Sequence, residues 1–201
     1  MKLYYSLGAC SLAPNIVLHE LKIPHELVAV KLKDKTYAGG NYYEVNPKGT
    51  VPALELDNGQ ILTEIPAILQ YLADMKPEAR LVPRPGSLER VRCQEWLNYI
   101  ATEFHKTFSP LFRDDTPEPY KESMREKLKG RFDFFGATLS KQDWLLGSEY
   151  SIADAYLTTI LRWPRALKIS MENWPVMMGY LEKSLARPAT REAIKAESPL
   201  K

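Results

Sequence analysis

Cysteine is scarce in this sequence: Cys10 and Cys93 are the two among 201 residues, too few for the disulfide framework of a secreted scaffold. Apolar runs long enough to cross a bilayer are missing. After Lys2, the stretch Leu3-Tyr4-Tyr5-Ser6 is too short and too polar for the core of a signal peptide. An excess of one charge is missing too. The 27 Lys and Arg stand against 25 Asp and Glu, a formal net charge of +2, which argues against a nucleic-acid binder with a strong basic face and leaves small anionic ligands open. No spacing of His, Cys, Asp or Glu suggests a metal site, and there is no repeat or low-complexity tract. These absences lead us to expect a soluble, cytoplasmic protein with no nucleic-acid or membrane partner. Its length suffices for one large domain or two small ones around a core of their own.

What is present divides in two. Over the first ~80 residues strand and helix signals alternate. Lys2 to Tyr5 and Glu26 to Val30 are rich in β-formers, and a helix from about Pro14, carrying Ile16-Val17-Leu18-His19-Glu20-Leu21, lies between them, a βαβ unit whose strands should be parallel. Ala53 to Leu56 and Gln60 to Leu62 flank Asp57-Asn58-Gly59, a strong hairpin signal. A helix follows from Pro66, where the missing N–H of proline is harmless. This order, βαβ then ββα, is that of an α/β thioredoxin-like domain, which we place at residues 1–78. Residues 79–86, with Pro83, Pro85 and Gly86, read as a linker. From 87 to 201 the periodicity is helical throughout, an all-α domain. Leu97, Ile100, Ala101, Phe104, Phe108 and Leu111 form one stripe of a long helix, while Asn98, Thr102, His105 and Lys106 share another face. Tyr120 to Leu139 is a second long helix. Ser151-Ile152-Ala153-Asp154 is a capping box with Asp in the third position; Trp174-Pro175 and Arg187-Pro188 open the last helices.

Cys10 follows the turn Ser6-Leu7-Gly8-Ala9 at the start of the first helix, where backbone N–H groups and the helix dipole favour a thiolate. No second cysteine completes a Cys-x-x-Cys pair, so dithiol exchange is closed and monothiol chemistry remains. Cys93 reads as packing, and His19 and His25 as ordinary. His105 is a lone helical histidine, a type more often structural or solvated than catalytic. Val51-Pro52 opens a strand, and within a thioredoxin-like domain a cis bond is the expected form, with the N–H and C=O of Val51 turned outward to hold an extended peptide.

Several segments, in order and at family spacing, resemble a cytosolic glutathione S-transferase, and within that family the bacterial beta class. They are Gly8-Ala9-Cys10-Ser11-Leu12-Ala13, Val45-Asn46-Pro47-Lys48-Gly49 with Val51-Pro52-Ala53-Leu54, Leu62-Thr63-Glu64 with Gln70-Tyr71-Leu72-Ala73-Asp74, Trp96 to Glu103, His105-Lys106, and Ser151 to Tyr156. The resemblance implies the glutathione transferase architecture, a thioredoxin-like glutathione-binding domain followed by a helical domain with a hydrophobic substrate pocket, in a homodimer. Cys10 and His105 would be catalytic. Glutathione would meet Ala9, Cys10, the Val51 backbone and Pro52 at its cysteinyl part, Glu64 and Ile65 at its γ-glutamyl end, and Lys35 at its glycyl carboxylate. Asn98, His105 and Lys106 would close over it, and Tyr156 and Trp163 would line the pocket. Glutathione is then the co-substrate, a small hydrophobic electrophile the partner, and no metal is needed.

The sequence departs from the pattern in two places. Ile65, followed by Pro66, stands where the family usually has Ser or Gly, and the loop around Lys33-Asp34-Lys35 is shortened, which opens Lys33 as the substitute for Lys35. Three functions are compatible: conjugation of glutathione to electrophiles, monothiol glutathione-dependent disulfide reduction through Cys10, and a non-catalytic binding protein with weak glutathione affinity.

Overall fold

The computed structural model describes residues 1–198. The chain forms two compact units: Met1–Arg80 together with the segment that begins at Ala186, and Leu81–Leu185.

The first unit carries β1 (Lys2–Tyr5), α1 (Leu12–Glu20), β2 (Glu26–Lys31), β3 (Thr36–Tyr37), β4 (Gly40–Asn41), β5 (Ala53–Glu55), β6 (Ile61–Thr63) and α2 (Ile65–Asp74). The strands form one sheet in the order β4-β3-β2-β1-β5-β6. β1 and β2 run parallel, with Leu3 opposite Leu27, as a βαβ crossover requires. β5 is antiparallel to both β1 and β6. Asn58 and Gly59 turn the β5–β6 hairpin: Gly59 sits at φ 80°, and the Asn58 side chain accepts the Gln60 N–H at 3.0 Å. The two-residue strands β3 and β4 carry no periodicity long enough to have been read from the sequence. α1 begins at Leu12, two residues before the expected Pro14.

Beyond Ala186 the described chain forms α9 (Pro188–Glu197). The expected 87–201 helical domain is therefore divided differently by the fold, because this segment packs in the first unit. The reason is polar as well as apolar. Asn15, fully buried on α1, donates to the Ala193 carbonyl and to a Glu197 carboxylate oxygen, both at 3.2 Å, and Arg187 grips Glu20 with two hydrogen bonds of 2.7 and 3.0 Å. Ala189 and Ala193 fill the apolar seam.

The second unit is helical: α3 (Leu88–Tyr99), a π-helical stretch Ile100–His105, α4 (Lys106–Phe108), a 3₁₀ turn Ser109–Phe112, α5 (Glu118–Leu139), α6 (Ile152–Leu161), α7 (Trp163–Ala166) and α8 (Pro175–Leu185). The predicted apolar stripe is core, with Leu97, Ile100, Phe104 and Phe108 fully buried, but the helix carrying it is not regular. It widens by a π segment before closing at Pro110, and Thr102, Thr107 and Ser109 hydroxyls all return to carbonyls four residues back. Phe104 packs edge-on against Phe108 and Phe132 at 5.2 and 5.7 Å. Every residue of α6 is buried. No described helix is long and apolar enough to cross a membrane.

Candidate functional site

In the first unit the loop between β1 and α1 folds on itself. Ala9 N–H bonds the Ser6 carbonyl at 3.0 Å, Gly8 takes a φ of 75°, and the Ser11 hydroxyl exchanges bonds with the Ser6 backbone. Ser11, not Cys10, is the cap residue, and its side chain makes no cap bond to the helix. Cys10 therefore sits one residue outside the helix, half-buried, and its Sγ donates to the Val51 carbonyl at 3.3 Å. The Val51–Pro52 peptide is cis, as expected. The Val51 carbonyl, expected to be turned outward unpaired, accepts the thiol instead.

The Asn46-Pro47-Lys48-Gly49 pattern has a local cause. Buried Asn46 donates to the Thr50 carbonyl at 2.7 Å while its Oδ1 accepts the Lys48 N–H, and Tyr42 Oη donates to the same Thr50 carbonyl at 2.9 Å. Gly49, at φ 63°, leaves room where a Cβ would lie 2.6 Å from the Tyr43 ring. Lys35 Nζ donates to the Gly49 carbonyl at 2.7 Å, so this lysine is tied to the same loop, whereas Lys33 is exposed.

Glu64 precedes α2 at φ 68°, with its carboxylate exposed. Lys48, a residue the sequence offered no reason to single out, reaches the Glu64 carboxylate at 2.7 Å and the Thr63 hydroxyl at 2.9 Å. Ile65 buries its side chain, Pro66 has no N–H, and the N–H groups of Ala67 and Ile68 both go to the Glu64 carbonyl. The Ile65 amide is what this helix start has left for an anion. Tyr4 and Tyr5 are engaged elsewhere: Tyr4 Oη donates to Glu55 at 2.8 Å, and burial with that bond raises its phenol well above the usual range.

In the second unit His105 ends the π-helical stretch. Its Nδ1 lies 2.7 Å from the Tyr156 hydroxyl, and its ring stands edge-on to Trp163 at 4.9 Å. Burial, with the neighbouring Lys106 charge, lowers its pKa to about 4. Asn98 and Lys106 are exposed. Tyr156 is 1 % exposed, so its polar end is given to His105. Trp163 stacks edge-on with Phe112 at 5.2 Å, and Phe112 is an exposed aromatic that the sequence stripe, ending at Leu111, passed over. Cys93 is fully buried, and burial pushes its thiol up to about 12. Among the described residues no group of three or more His, Cys, Asp or Glu could hold a metal.

A thioredoxin-like α/β unit that presents a single thiol beside a cis-proline strand, followed by a helical unit, defines a class of glutathione-dependent proteins, and comparison with known proteins agrees. Residues 8–75 match the pattern described as the glutathione S-transferase N-terminal domain, and residues 99–188 that of its C-terminal domain. The chain is 46% identical over 198 residues to glutathione S-transferase GstA of Escherichia coli O157:H7, covering 98% of each. It superposes on a sphingomonad glutathione S-transferase complexed with glutathione with a TM-score of 0.96 at 42% identity, and on a bacterial beta-class enzyme from Sphingomonas chungbukensis with 0.96 at 41%, both over 100% of each chain. The chain belongs to the glutathione S-transferase family, and the solved structures it resembles include one of the bacterial beta class.

Proposed function

We propose that this protein conjugates glutathione to small hydrophobic electrophiles. One observation carries the reading: within the first unit the Cys10 thiol reaches the Val51 carbonyl at 3.3 Å beside a cis proline, so the backbone leading into β5, suited to an extended cysteinyl backbone, lies against the turn that would receive its sulfur. A solved relative at 42% identity is described as holding glutathione.

In this reading glutathione is the co-substrate. Its cysteinyl backbone pairs with Val51, with Ala9 and Pro52 flanking; its γ-glutamyl ammonium meets Glu64 and its carboxylate the Ile65 N–H; its glycyl carboxylate takes Lys35, with Asn98 and Lys106 contributing further polar contacts. The thiol, at ~8.5 when unperturbed, is acidified by the Cys10 amide and the start of α1, and His105 is the second catalytic residue, acting as a hydrogen-bond donor. The thiol proton leaves to solvent. Sulfur then attacks the electrophilic carbon, the S–C bond forms, and the leaving group departs with its electron pair. Trp163, Phe112 and Tyr156 supply the aromatic side of the electrophile site. The protein acts as a cytoplasmic homodimer, for which the exposed Leu88, Val91 and Phe134 are apolar surface that a second copy would cover.

Purified protein should be retained on glutathione-agarose and conjugate a chlorodinitrobenzene. Cys10→Ala should abolish disulfide exchange yet only lower conjugation, because the backbone amide survives. His105→Ala should lower kcat more than it raises the glutathione KM. Failure of retention would favour a non-catalytic binding protein; loss of conjugation together with a stable glutathione adduct on Cys10 in the wild type would favour a reductase.

A further inference from the structure

The bond between His105 and Tyr156 settles more than packing. α6 buries all ten of its residues and is held at its start by the Ser151–Asp154 pair, with Asp154 accepting from the Ser151 N–H at 2.9 Å. Tyr156, on the second turn, is thus fixed in place, and its hydroxyl lies 2.7 Å from His105 Nδ1. A buried phenol needs a partner.

Two arrangements fit that distance. Either Nδ1–H donates to the phenol oxygen, leaving Nε2 as a bare lone pair, or the phenol donates to Nδ1, leaving Nε2 protonated. A phenol O–H is a good donor and an indifferent acceptor, whereas the imidazole lone pair is a strong acceptor, so the second arrangement wins. We propose that Tyr156 is a positioning residue that fixes His105 as the Nε2–H tautomer, so that His105 serves the reaction as a hydrogen-bond donor from Nε2 and never as a base. The low basicity of the half-buried ring agrees. Trp163, edge-on at 4.9 Å, restrains the ring further. This rests on the role given to His105 above, and it changes what the sequence reading expected of Tyr156, an apolar wall, into a polar contact.

Long-range proton–nitrogen correlation spectra of the histidine-labelled wild-type protein should report His105 as the Nε2–H form. In Tyr156→Phe, which keeps the ring and removes the hydroxyl, the tautomers should mix. Turnover of a chlorodinitrobenzene at saturating glutathione should fall about fivefold, the effect of one ordinary hydrogen bond, while the glutathione KM stays within about twofold. A side chain that merely filled space would leave the tautomer unmoved. An Nδ1–H form in the wild type overturns the proposal without any variant. Full turnover in Tyr156→Phe beside a crippled His105→Ala overturns it while leaving the role of His105 intact. Full turnover in His105→Ala overturns both.

Discussion

The starts of α2 and α6 solve the same problem in opposite ways. A helix begins with N–H groups that have no partner within it. At α6 the chain closes the end with its own side chains: the Asp154 carboxylate takes the Ser151 N–H and hydroxyl at 2.9 and 2.7 Å, and then two more donors from outside the helix, Leu145 N–H at 2.8 Å and Tyr180 Oη at 2.9 Å. At α2 nothing caps the end. Glu64 stands at a positive φ with no cap bond, and its carboxylate is turned to Lys48 in solvent. The closed end sits wholly in the interior, whereas the open end has no side-chain cap and keeps an exposed carboxylate.

The contrast breaks most severely at Asp154. Burial pushes its carboxyl above the usual range, and the four donors pull it back. Asp154→Ala would orphan several buried donors at once, each costing about 1–3 kcal/mol, and the denaturation free energy should fall by about 3–4 kcal/mol, with glutathione affinity of the folded fraction unchanged. A fall of a few tenths would mean that the closed end carries no stability.

Ile65→Ser tests the open end. Restoring a hydroxyl next to the Ile65 amide should tighten glutathione binding by about tenfold in calorimetry, the worth of a hydrogen bond to a charged group. Because the Ile65 side chain is buried, the same change should cost about 2 kcal/mol of stability. Unchanged or weaker binding would show that the γ-glutamyl end is held differently.

The smallest effect belongs to Lys48. Its pair with Glu64 is exposed on both sides, so Lys48→Met should move the denaturation midpoint by less than about 0.5 kcal/mol. Glutathione binding should change more than stability does, since the pair sets the charge at that end. A large stability loss would place Lys48 with Asp154 on the structural side.

The capping box was legible because its chemistry is local: Ser and Asp three residues apart before an apolar run. The donors from Leu145 and Tyr180 were not, being 9 and 26 residues away from Asp154 in sequence and brought to it by packing alone. The hairpin at Asn58-Gly59 and the buried stripe through Phe104 were read for the same local reason, whereas the cis proline was expected from the thioredoxin-like order of elements around it. The stripe did not reveal the π-helical widening that ends at His105, since buried residues three and four apart are compatible with either winding.

By itself, then, the sequence determined the α/β thioredoxin-like first part, the helical second part, the lone thiol at a helix start and the departure at Ile65-Pro66, all of which depend on residue type and short spacing. Tertiary structure alone decided that the last helix joins the first unit through Asn15 and Arg187, that Lys48 holds Glu64, and that Tyr156 turns its hydroxyl to His105. Those contacts join residues 16 to 178 positions apart, and nothing in a one-dimensional pattern selects one such partner over another until the core has packed.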